Sequence, residues 1–145
     1  PPEINHGEEK TGFKINQKLL LGSLITMAII GTTHYWLDDR PEVYAPIWLL
    51  AGIIWYAGIL SAIIFVNSKT RLGFMISGVL SWITLIFWSL DNFDLVFNTS
   101  ILASPPNEMF ALMNFIGIIV VSIAIIASHN TFHKVIDYQI KGKSI

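Results

Sequence analysis

Between positions 19 and 128 the chain holds four apolar stretches, 19–36, 47–66, 72–90 and 109–128, and none of them contains an Asp, Glu, Lys or Arg. Each is close to the roughly 20 residues that a helix needs to cross a bilayer. One such stretch could be the core helix of a large soluble protein. Four of them in 145 residues leave too little polar sequence to wrap a water-facing core. The expected fold is all-α: an integral membrane protein of four transmembrane helices in an up-down bundle. A single transmembrane domain fills the chain, with polar tails at 1–18 and 129–145.

Composition agrees. Charged residues make up 13% of the chain against 53% hydrophobic, where soluble domains average about 25% charged. A net charge of −1 offers no basic face for nucleic acid. The chain has no cysteine, which removes disulfides, thiolate metal ligands and thiol catalysis. The polar start does not read as a secretory signal, so the first stretch is expected to be a retained span.

The charges alternate along the chain. Lys10, Lys14 and Lys18 precede the first span, Lys69 and Arg71 separate the second and third, and Lys134, Lys141 and Lys143 follow the fourth. The other two connections carry Asp38, Asp39, Glu42, Asp91, Asp94 and Glu108, with Arg40 as their lone basic residue. The positive-inside rule then predicts a cell-membrane protein with both termini cytoplasmic. Connection 91–107 contains Phe93, Leu95, Val96, Phe97, Ile101 and Leu102. It is too apolar for a free loop and is expected to lie in the outer interface or against a partner. Asn107 reads as a helix cap ahead of Glu108. Asn98-Thr99-Ser100 fits the N-glycosylation pattern.

Helices in lipid associate through close packing over small residues. Gly73, Ser77 and Ser81 repeat at four-residue spacing in the third span, and Ala57/Ser61 and Gly58/Ala62 form two such pairs in the second. Gly22 and Thr26 offer a weaker version in the first. The fourth span is bulky and β-branched nearly all round, which suits lipid or a broad contact with another subunit. Asn114 is its polar exception and needs a hydrogen-bond partner in a helix interface.

Two groups suggest metal chemistry. His129, His133 and Asp137 fall on one helix face, since side chains four apart lie one above the other. His34 and Asp38, near Asp39, Asp91 and Asp94, sketch an acidic outer site for Cu, Zn or Ca. Both patterns also have a bland origin, because histidines suit helix C-termini and acids collect in outer loops. Roughly 20–30 Å of bilayer between His34 and His129 argues against a haem held by both, so a haem would have to borrow a ligand from another subunit. No cofactor is required by the sequence.

No span holds the ionisable residue that coupled transporters place inside the membrane. The glutamate that small multidrug transporters carry in their first span has no counterpart in 19–36. The expectation is therefore a non-catalytic accessory or structural subunit of a multi-subunit membrane enzyme complex. Its partners would be other membrane protein subunits and lipid, and the complex a redox or energy-converting one, of the respiratory oxidase or copper membrane monooxygenase type. A metal- or haem-binding electron-transfer subunit and a small transporter or oligomeric channel are the alternatives.

Overall fold

The computed structural model describes residues 6–140, with side chains described over residues 11–134. Four helices, α1 (His6–Leu37), α2 (Pro46–Asn67), α3 (Arg71–Phe97) and α4 (Glu108–Ile140), are joined by short connections, the first containing a 3-10 turn over Pro41–Tyr44. No strand occurs among the described residues. Within these helices Thr11–Leu37, Pro46–Asn67, Arg71–Phe97 and Glu108–Lys134 are all long and apolar enough to cross a membrane. The chain is a multi-pass membrane protein by this measure.

The helices outrun the apolar stretches that predict them. α1 begins well before residue 19 and α4 continues past 128. At about 1.5 Å per residue, the 33 residues of α4 extend roughly 50 Å, more than a hydrocarbon core of about 30 Å. The larger correction concerns 91–107. Its first seven positions, 91–97, are the last two turns of α3, so the true connection is 98–107. Asp91 and Asp94 stay helical because both carboxylates find partners in the fold, as described below.

Local chemistry sets the helix ends. Pro46 opens α2 at a position where its missing N–H costs nothing. The Thr70 hydroxyl accepts from the Gly73 amide and caps α3, and Asn107 Oδ1 accepts from the Phe110 amide and caps α4. Lys69 and Asn98 adopt left-handed backbone conformations with φ of 56° and 52° where α2 and α3 stop. Thr70 and Lys69 donate back to Phe65 and Val66, which makes the α2–α3 turn very tight. A Cβ on Gly73 would lie 2.5 Å from the backbone of Phe65 and Val66, so only glycine permits that approach.

The core forms where α4 packs against both α1 and α3. Leu20, Leu24 and Met27 of α1 meet Phe74 of α3 and Val121, Ala124 and Ala127 of α4. The fourth helix thus packs one face against α1 and α3, while Leu112, Phe115, Ile119 and Ile126 on its other side stay exposed. Ala124 and Ala127 supply the close approach that its β-branched neighbours conceal in the sequence. α2 is the most peripheral helix, with only Ile59, Ala62 and Val66 buried. The end that carries Lys69 and Arg71 is closed by the Phe13–Phe74 edge contact, by Arg71 over the Phe132 ring and by Gln17 Nε2 donating to the Val66 carbonyl.

Candidate functional site

The opposite end, where α1 and α3 finish and α4 starts, holds the polar residues. Beyond the last turn of α1, Asp38 accepts from the Arg40 amide and turns the chain back. That turn points the Arg40 guanidinium at α3. Its Nε and Nη2 donate to Asp38, its Nη1 and Nη2 donate to Asp91, and Nη1 also donates to the Ser104 carbonyl. All five N–H groups of the guanidinium are engaged. The ion-pair distances are 2.8 Å to Asp38 and 2.7 Å to Asp91.

Asn114 extends the network into α4. Its carboxamide donates to Asp91 at 2.9 Å and to Asn92 Oδ1 at 3.1 Å, and Asn92 in turn donates to the Ala111 carbonyl. Connection 38–45, α3, α4 and connection 98–107 are thereby tied together at a single point. Burial works against the Arg40 charge, but the hydrogen bonds and charges of Asp38 and Asp91 outweigh it and raise the guanidinium pKa above its ordinary value. One guanidinium between two carboxylates leaves the cluster with a surplus negative charge.

Below this cluster lies a cavity of about 770 Å³, bounded by α1, α2 and α3 and reaching Phe110 and Asn114 of α4. Its wall is aromatic, with Trp48, Trp55, Tyr56, Phe87 and Trp88 contributing. The polar atoms in that wall are largely paired with each other. Thr32 donates to the Ala28 carbonyl, so the 2.9 Å contact between Thr32 and Tyr56 has the phenol as its donor. Likewise Trp55 Nε1 donates to Thr84, whose hydroxyl donates to the Leu80 carbonyl.

His34 breaks this pattern. Its ring stacks on Phe110, with centroids 5.3 Å apart, and meets Trp88 edge-on. Among the described residues its Nε2 is the one buried side-chain nitrogen or oxygen without a hydrogen-bond partner. A buried polar atom left so costs about 1–3 kcal/mol.

A second polar knot holds the connection after α3. Asp94 is fully buried, and its carboxylate accepts from the Thr99 hydroxyl and from the amides of Ile101 and Leu102. Those bonds fix the backbone of a segment whose apolar side chains face outward. Val96 is 73% exposed, Phe97 62% and Ile101 55%. Asn98, the candidate glycan acceptor, is exposed at the C-cap of α3.

The sequence-derived candidates fall in different places. His34 and Asp38 come to the same cavity, but Asp38 is held by Arg40. His129 accepts from Trp82 Nε1 at 3.3 Å, His133 lies edge-on to Phe132, and the Asp137 side chain lies outside the described residues. Among the described residues, no group of three or more His, Asp or Glu side chains could hold a metal ion. Ser77 and Ser81 are fully buried in the core and Gly73 forms the tight turn. Gly58 faces Leu80 and Ala62 is buried, whereas Ala57 is exposed and Ser61 donates back to its carbonyl.

Arg40 and Asp91 are the pair that sequence reasoning did not join. The signal was present, since Arg40 is the lone basic residue in two acidic connections. Compared with models of protein families, with curated proteins and with solved structures, the chain matches none of them.

Proposed function

We propose that this chain is a non-catalytic accessory subunit of a larger membrane enzyme complex of redox or energy-converting type. In this reading it crosses the cell membrane as an up-down bundle with both termini cytoplasmic, the arrangement its alternating loop charges favour. Respiratory oxidases and copper membrane monooxygenases are the kinds of assembly that use small helical subunits of this sort.

The observation that carries the proposal is the patch of Val96, Phe97 and Ile101. Buried Asp94 holds the backbone of 99–102 in place, so this apolar surface is a built feature and not the outside of a loose loop. It sits at the acidic end, near the level where lipid headgroups would otherwise meet it. A partner subunit covers such a patch better than water or headgroups do. Exposed Ala57 and half-buried Ser61 on peripheral α2 add a place where a neighbouring helix can approach closely. The transport alternative has less to work with, because Asp91 and Asp94 are both engaged in structural hydrogen bonds.

Affinity purification of the native assembly followed by mass spectrometry tests this. Stoichiometric membrane partners are expected, and Phe97→Glu should release them while leaving the helical content intact. A chain that purifies alone and carries solute across vesicles by itself would overturn the proposal.

A further inference from the structure

The cavity has the wrong electrostatics for an anionic headgroup. Arg40 has no N–H left to offer, and the two carboxylates beside it repel negative charge. A cationic head is little better served. Asp38 and Asp91 each accept three hydrogen bonds already, and a second cation would lie beside the guanidinium. What the site does offer is aromatic faces at the membrane level and, in its wall, His34, whose Nε2 is buried beneath the surface and has no hydrogen-bond partner.

From these features we infer that the cavity binds a neutral, lipid-soluble planar ring bearing hydrogen-bonding oxygens and an apolar tail, the class to which membrane quinones belong, with His34 reading its polar edge. Flat rings pair with the indole faces of Trp48, Trp55 and Trp88 through offset or edge-on contacts. A volume of about 770 Å³ lies within the usual range for small-molecule sites, roughly 300–1,000 Å³. The apolar tail suits a cavity bounded by helices that themselves face hydrocarbon. The His34 ring must turn to bring its buried Nε2 to the cavity; the imidazole then supplies a donor or an acceptor according to its tautomer, so it can meet either a carbonyl or a hydroxyl on the ring.

Three substitutions separate the parts of this claim. His34→Phe keeps the stacking on Phe110 and removes the hydrogen bond, while His34→Gln restores a hydrogen-bonding group. Gly52→Leu fills the cavity from a wall position where an added Cβ meets nothing within 4 Å. Gly22→Leu, exposed and equally unobstructed, is the control.

The probe is quenching of tryptophan fluorescence by decylbenzoquinone, with the full chain in neutral-lipid nanodiscs. Wild type should show saturable quenching, about tenfold weaker in His34→Phe and partly recovered in His34→Gln. Gly52→Leu should lose it and Gly22→Leu should keep it. Unsaturable quenching that is equal in wild type and Gly52→Leu would overturn the site. Undiminished affinity in His34→Phe would overturn the role of His34. Displacement of the quinone by oleate or dodecylamine at lower concentrations than by its own homologues would overturn the ligand class, and a Soret band lost in His34→Phe would replace the ring with a haem.

Discussion

Arg40 illustrates how one side chain can organise an end of a membrane protein. It meets two acids on different elements and a carbonyl on a third, so removing it strands both carboxylates in a region of low polarity. Arg40→Met should lower stability by about 3–5 kcal/mol, read as a fall in Tm in detergent. Because the guanidinium pKa is raised on folding, its contribution is fully present below the ordinary arginine value and is lost only above it. Alkaline titration up to about pH 11 should therefore leave this contact intact. Asn114→Leu removes two hydrogen bonds but keeps the volume, and should cost about 1–2 kcal/mol by the same measurement. Asn114 was legible as a residue in need of a partner. Its partners were not, because Asp91 and Asn92 lie 23 and 22 positions away on another helix.

At the scale of elements, helix lengths follow hydrogen bonding and not hydropathy alone. A hydropathy reading stops the third helix at Asp91, since carboxylates are costly in lipid. In the fold Asp91 faces Arg40 and Asp94 faces its own downstream loop, so two further turns remain helical. The α2–α3 turn is equally specific. Gly73→Ala should destabilise by about 1–3 kcal/mol, because the backbone of Phe65 and Val66 cannot easily yield. Gly22→Ala should be neutral or mildly stabilising in the same thermal assay, as its Cβ enters open space and alanine favours the helix. The fourth helix shows how far composition reaches. Its β-branched run suits lipid or a broad contact with another subunit, and Ile119, Ile123 and Ile126 do stay exposed, yet Val121, Ala124 and Ala127 also place one face against α1 and α3.

For the whole molecule, the proposed orientation is open to a direct test because the native chain contains no cysteine. Glu42→Cys, in the acidic connection, should react with an impermeant maleimide in intact cells. Lys69→Cys, in the basic connection, should react only after the cells are opened. The reverse pattern would invert the bundle. A chain that puts both positions on one side would lose the up-down arrangement altogether. In the proposed orientation the cavity would lie near the outer face, and Ile101 of the apolar patch directly precedes the lining residues Leu102 and Ala103, so a partner docked on that patch would border the proposed ring site.

The sequence alone determined that four helices seek hydrocarbon, because an uncharged run of about 20 residues has one favourable environment and needs no knowledge of its neighbours. It also marked Asn114 as a polar residue that would require company. Tertiary structure decided which company each polar residue received. Asp91 found Arg40 and Asn114, Asp94 found its own loop, and His34 was left against a cavity without a partner at Nε2. Burial preference is a property of each segment, whereas pairing depends on which helix faces are brought together, and that emerges only when all four pack.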